Sequence, residues 1–157
     1  MENPHEYRKT VSLDIHNQLH DGDDYQWIEA YKDYYHYDPR VVNIFRIEDR
    51  VIVMERLEGF TLDNTAELEQ LDLAKKRYIL NEAFDIYNKQ FHFKSAILGT
   101  TEIWAHNDFN VQNLMWCKGK VRLIDPEAFS KRNLKIKSNS IHYGKFFETY
   151  ITLMLDL

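Results

Sequence analysis

The sequence has a single cysteine, Cys117, so no internal disulfide is available, and a reducing compartment is expected. Glycine is nearly as scarce. The five glycines fall at positions 22, 59, 99, 119 and 144, and none lies in a G-x-G-x-x-G array, so no glycine-rich phosphate loop of that form is written in the chain. No apolar run approaches the length of a membrane span, and the opening MENPHEYRKT carries no apolar secretory core. A cytoplasmic protein with no membrane partner is expected. Excess positive charge is also missing: 20 Lys and Arg stand against 25 Asp and Glu, a formal charge of -5. That balance argues against a nucleic-acid partner, because no broad basic field would collect phosphates. The local run Lys131, Arg132, Lys135 and Lys137 reads either as a solvated loop or as a contact for an acidic partner.

What the sequence does have is apolar and aromatic substance, 44% and 14% of 157 residues, enough to bury a core and to exclude a disordered chain. There is no internal repeat and no low-complexity segment. Tyr7, Lys9, Val11, Leu13 and Ile15 alternate in EYRKTVSLDI, which predicts a strand. Asp23 or Asp24 then caps a helix whose apolar face uses Trp27, Ile28, Tyr31 and Tyr35, and Pro39 marks its end. Two β-rich runs, 41–47 and 51–57, flank Glu48-Asp49-Arg50 and predict an antiparallel hairpin, broken at Gly59. A short polar helix is expected over 63–71. A long amphipathic helix over about 73–93 shows Leu73, Leu80, Ala83, Phe84, Ile86, Tyr87 and Phe91 on one face. A loop follows, then the strands NLMWC and VRLID around Lys118-Gly119, then a closing helix over 143–157. The order gives an α+β chain, β-rich first and helical second.

The chemistry gathers in IWAHNDFNVQNLMWCKGKVRLIDPEAF, residues 103–129. Asp108 is a carboxylate able to take a proton from an attacking hydroxyl. Asn113 and Asp125 offer hard oxygens suited to Mg²⁺, which takes few protein ligands and fills its shell with phosphate oxygens and water. Taken singly, each of these residues is an ordinary loop or cap residue. Taken together they supply the parts that phosphoryl transfer needs.

His106-x-Asp108-x-x-x-x-Asn113, with Asp125 after a small hairpin, resembles the catalytic loop and metal-binding aspartate of the protein-kinase-like superfamily. The wording His106-Asn107-Asp108 and Leu123-Ile124-Asp125-x-Glu127 is closest to the choline/ethanolamine kinase and aminoglycoside phosphotransferase branch. The short form with its "IDP" ending is also similar to phage-encoded kinase-like proteins.

The resemblance implies a truncated two-lobed kinase-like fold in a single domain: a reduced N-lobe over 1–57, a hinge over 58–64 and a reduced C-lobe over 65–157. It implies ATP and Mg²⁺ as cofactors and a hydroxyl-bearing acceptor, a small molecule or a protein. Asp108 becomes the base, and Asn113 and Asp125 the metal ligands. Lys9 becomes the phosphate clamp and Glu29 its orienter. Met54 stands as gatekeeper, with backbone groups near Glu55 and Leu57 meeting adenine, Val53 and Leu114 as apolar walls and Asp63 reaching the ribose. Glu127 supports the metal, binds acceptor or caps a loop. The tyrosines 25, 31, 34, 35 and 37 either cage a cationic substrate or pack.

Two departures carry expectations of their own. Asp125 is followed by Pro126-Glu127 rather than Phe-Gly, and Asn110 stands where protein kinases have a lysine. Nothing before Lys9 is long enough to form a phosphate-covering lid. The expectation is therefore open phosphates, low activity alone, and a second copy or a protein partner over the site. The alternative is a pseudokinase, a nucleotide- or partner-binding regulatory module.

Overall fold

A computed structural model describes residues 4–11, 26–93, 103–106 and 108–132, together with position 152. The expected cap at Asp23 or Asp24, strand positions Leu13 and Ile15, Tyr25, Lys135 and Lys137 lie outside these residues, as does the closing helix apart from position 152.

The chain opens with β1 (Glu6–Thr10), followed by α1 (Gln26–Tyr37) and the hairpin β2 (Ile44–Glu48) and β3 (Val51–Glu55). These strands form a three-stranded antiparallel sheet in the order β1-β3-β2. The hairpin turns on two residues, Asp49 and Arg50, both left-handed with φ of 46° and 66°. Such a turn matches the twist of the flanking strands. The central strand takes the β-branched run, and Ile52, Val53 and Met54 are all buried. Arg8 and Arg46 lie opposite Val53 on its two neighbours. Arg46 pairs with Glu6 (2.9 Å) and Glu48 (2.6 Å), and Arg8 with Glu48 (2.8 Å).

The remainder runs β4 (Phe60–Thr61), α2 (Thr65–Glu69), α3 (Leu73–Lys89), a 3₁₀ turn at Gln90–His92, β5 (Ile103–His106), β6 (Leu114–Cys117), β7 (Lys120–Leu123) and β8 (Phe129–Arg132). The second sheet has the order β4-β6-β7, and β5 pairs with β8. Asn64 caps α2 through the Glu67 N–H, and Asp72 caps α3 through the Lys75 N–H.

The structure corrects several expectations. The 41–47 run pairs only from Ile44, because Val41 and Val42 bond instead toward β7. The strand over 51–57 ends at Glu55. Residues 103–106 form a strand rather than a loop. The polar helix spans Thr65–Glu69 rather than 63–71, and Leu73, at the first turn of α3, is half exposed. Lys131 and Arg132 belong to β8.

Helix α1 buries Ile28, Tyr31 and Tyr34, three residues apart along one stripe, whereas Tyr35 is only partly covered. Tyr34 stacks on Phe129 at 4.8 Å between centroids, and Tyr31 meets the same ring edge-on at 5.6 Å. Phe93 closes the cluster, 5.1 Å from Tyr34. These two tyrosines are packing residues. The Tyr31 hydroxyl donates to the Val42 carbonyl at 2.6 Å.

The two sheets are joined through the loop after α1. The Val42 N–H donates to Leu123 O (2.8 Å), and the Leu123 N–H donates to Arg40 O (2.9 Å). Arg40 then reaches α3, pairing with Asp85 at 2.9 Å and with Glu82, while its Nε holds Asp38 at 2.8 Å. Among the described residues no helix is long and apolar enough to cross a membrane.

Candidate active site

The loop after β5 is organised by His106, whose ring is buried. Its Nε2 lies 2.8 Å from the Ile124 carbonyl, and its Nδ1 lies 3.2 Å from the Asp108 N–H. The tautomer that satisfies both carries its proton on Nε2. Burial holds the imidazole below its ordinary pKa, although the Ile124 carbonyl and nearby carboxylates pull the other way. The His106 backbone N–H is itself fixed by Gln90 Oε1 at 2.9 Å, from the end of the helical segment. A neutral histidine thus ties Asp108 to the chain entering Asp125.

Asp108 is exposed at the surface of this loop, and two amides hold its carboxylate. Asn110 Nδ2 donates to Oδ1 at 2.9 Å, and Asn113 Nδ2 donates to Oδ2 at 3.0 Å and to the Asp108 carbonyl at 2.8 Å. Asn113 sits in a 3₁₀ turn, Val111–Asn113, rather than in the strand expected from NLMWC.

The hairpin β6–β7 brings the metal candidates together. Leu114 lies opposite Leu123, and just below that pair the Ile124 N–H donates to Asn113 O at 2.8 Å. Asp125, one residue past Ile124, leaves the strand in a left-handed conformation with φ of 67°. It precedes a 3₁₀ turn with Pro126 at its start. A left-handed aspartate is uncommon and is held by its surroundings.

Lys9 from β1 completes the group. Its ammonium pairs with Asp125 Oδ1 and Glu127 Oε1. Burial pushes the Glu127 carboxyl up to about 7, and the Asp125 carboxylate beside it adds to the rise. Burial also disfavours the Asp125 charge, but hydrogen bonds with Glu127 and Lys9 outweigh it, and Asp125 stays below its ordinary value. Burial likewise works against the Lys9 charge, and the same two carboxyl groups reverse that effect and raise it. Asp125 is therefore the ionised member, with Glu127 the readier to carry a proton.

The expected partnership of Lys9 with Glu29 is not what the structure draws. Glu29 is exposed in the first turn of α1 and pairs with Lys32 at 3.3 Å. The carboxylates that reach Lys9 come from the other side of the site. Met54, Val53 and Leu114 are buried, and Leu57 is partly buried against the core. At the strand end, the Glu55 N–H is taken by Asn43 O (3.0 Å) and the Arg56 N–H by His5 O (2.9 Å). Asp63 is exposed and accepts from the Thr61 hydroxyl.

Sequence reasoning missed Arg122. From β7 it pairs with Glu55 and donates to the carbonyls of Arg40 (3.1 Å) and Val41 (3.2 Å). Glu55 also accepts from the Asn43 N–H at 2.9 Å. The side chain of Glu55 therefore anchors the end of β3 to the hairpin that carries Asn113 and leads to Asp125. A charged residue set between the buried Val121 and Leu123 of β7 was the only signal in the sequence.

Among the described residues no three His, Cys, Asp or Glu side chains gather as a metal cluster. The donor set is instead one carboxylate, Asp125, and one amide, Asn113. Because the Asn113 nitrogen is spent on Asp108, its carbonyl oxygen is the end left to face a ligand. Two hard oxygens of this kind fit Mg²⁺ with a bound phosphate, and not a zinc-type site.

The fold has known likenesses in three dimensions. An aminoglycoside phosphotransferase, APH(2'')-IIa solved with gentamicin, aligns with a TM-score of 0.57 at 11% identity, over 83% of this chain and 61% of that one. The choline kinase LicA from Streptococcus pneumoniae aligns with a TM-score of 0.51 at 14% identity, over 99% of this chain and 69% of that one. No family model matches the sequence, and no curated protein matches it significantly. The chain spans about six-tenths of the length of the aminoglycoside phosphotransferase. The chain has a mixed α+β fold that is similar to the folds of this aminoglycoside phosphotransferase and this choline kinase.

Proposed function

We propose that the chain is an ATP- and Mg²⁺-dependent phosphotransferase that moves the γ-phosphoryl group to a hydroxyl of a small molecule or a protein. One observation carries the reading. Asp108, Asn113, Asp125 and Lys9 come from the loop after β5, the 3₁₀ turn, the end of β7 and β1, and they converge in one chain of hydrogen bonds and ion pairs. Loop-capping alone does not require four segments to meet.

In this reading β1–β3 with α1 form the reduced N-lobe over 1–57, residues 58–64 form the hinge, and 65–157 the reduced C-lobe. Adenine lies between Val53, Met54 and Leu114, with the Glu55 carbonyl and the Leu57 N–H as its polar contacts, since the intervening N–H groups are engaged. Asp63 turns from Thr61 to the ribose. Asn113 and Asp125 would hold Mg²⁺, which when bound would supply charge neutralisation on the phosphates. Lys9 leaves Asp125 for a phosphate oxygen. Asp108 orients the acceptor hydroxyl and receives its proton as the new O–P bond forms and ADP departs with the electrons of the broken bond.

A second reading, a nucleotide- or partner-binding regulatory module, draws on the position of Glu29. Its carboxylate is at the surface with Lys32, and Lys9 is occupied by the metal candidate itself. ADP formation from Mg·ATP by the full chain, with Asp108→Asn as control, separates the two. Turnover lost in the variant supports the phosphotransferase. Binding without turnover in the wild type supports the module.

A further inference from the structure

We infer that Asn110 is a positioning residue for Asp108. The kinetic side of this inference rests on the phosphotransferase reading; its geometry does not.

Both ends of the Asn110 amide are used. Oδ1 accepts the Gln112 N–H at 2.9 Å, capping the 3₁₀ turn, and Nδ2 donates to Asp108 Oδ1 at 2.9 Å. An amide is planar, so fixing its oxygen on the backbone also aims its nitrogen. The Asn110 carbonyl in turn accepts the Asn113 N–H at 3.0 Å, and Asn113 holds the other oxygen of Asp108. Asp108 thus sits between two amides that are bonded to one another through the backbone.

The arrangement answers a specific problem. Asp108 is an exposed side chain on a loop, and left alone it would be free to sample its rotamers. A group that must meet an acceptor hydroxyl in line with a phosphate gains from being held before the acceptor arrives. Asn113 holds only Oδ2 of the carboxylate, and Asn110 fixes the other oxygen. The Asn110 side chain is committed wholly to the loop and to Asp108.

A plain capping role and a positioning role predict different things for Asn110→Asp. The aspartate keeps the acceptor for Gln112 and caps as well as asparagine does. It removes the donor to Asp108 and sets a like charge beside it. The expected result is a melting temperature within about 2 °C of wild type, with kcat for ADP formation from Mg·ATP lowered about tenfold or more and the KM for ATP within about twofold. Asn110→Ala, which loses cap and donor together, lowers both stability and kcat. A geometric arm needs no turnover. In the NMR spectrum of the labelled full chain, the Asn110 side-chain amide signals move on Asp108→Ala while the Gln112 backbone amide stays in place. Unchanged kcat in Asn110→Asp, a raised KM with kcat intact, or an Asn110 amide that ignores Asp108→Ala overturns the inference. If the wild type forms no ADP from Mg·ATP, the phosphotransferase reading fails, and the NMR arm alone decides on Asn110.

Discussion

Lys9 and Asp125, 116 residues apart in sequence, meet as an ion pair, with Glu127 as the second carboxyl group on the same ammonium. The pair joins β1 to the residue proposed above as a metal ligand. The lysine ammonium neutralises the carboxylate to which the proposed reading assigns Mg²⁺.

Removing that ammonium leaves Asp125 and Glu127 facing each other with no counter-charge. Lys9→Met is expected to lower the stability of the nucleotide-free chain by about 1–2 kcal/mol, a buried-pair cost discounted because the lysine is partly exposed. Urea unfolding checks it, and an unchanged midpoint would show that the pair contributes nothing.

Arg122→Met is expected to cost more, about 2–3 kcal/mol, because it strands the Glu55 carboxylate in a largely covered position and frees two carbonyls. Denaturant unfolding gives the magnitude. Retention of full stability would mean that the tie between the end of β3 and β7 is dispensable.

Gly59 lies so close to β6 that an added Cβ would stand 2.1 Å from the Trp116 carbonyl oxygen and 2.9 Å from its carbon. Both are backbone atoms, so neither side chain can yield. Gly59→Ala is expected to destabilise by about 1–3 kcal/mol through displacement of β4. Gly119→Ala meets nothing within 4 Å but must hold φ of 83°. Its cost is set by the left-handed backbone alone, about 1–2 kcal/mol. Thermal melts of the two variants test whether contact or conformation dominates at each site.

His106 gives the fold a dependence on pH. Its folded pKa is depressed by burial from the ordinary 6.5. Above 6.5 the ring is neutral in both folded and unfolded chains, and its contribution is fully present. As pH falls through 6.5 toward the lower folded value, the unfolded chain takes up the proton first and stability is lost. The melting temperature of wild type is expected to fall more between pH 7.5 and 5.5 than that of His106→Gln. Parallel curves would show that the ring is not held neutral.

How much of this was written in the sequence depends on the range of the interaction. The hairpin of β2 and β3 was legible because β-branched residues and a short polar turn are local signals, although the strand starts at Ile44 once Val41 and Val42 bond to β7. That Asp108, Asn113 and the chain entering Asp125 lie together was legible from their spacing, as the bonds of Asn113 to Asp108 and Ile124 show, while their roles stay a proposal. The pairing of β5 with β8 was not, because Ile103–His106 is four residues long and its partner lies more than twenty residues away. Tyr34 replaces Tyr35 on the buried face because Phe129, from β8, supplies the ring that it stacks on. Glu29 takes a local partner, the surface Lys32 three residues along α1, whereas Arg122 makes a tertiary choice at the end of β3, which local pattern does not reveal.

The central claim is that Asn113 and Asp125 hold Mg·ATP beside Asp108, and isothermal titration of Mg·ATP into the full chain and into Asp125→Ala tests it most directly. The wild type is expected to bind ATP with an affinity that falls at least about tenfold when Mg²⁺ is withheld. The folded variant is expected to lose that metal-dependent part of the affinity. Equal Mg·ATP affinity in wild type and Asp125→Ala would contradict the account.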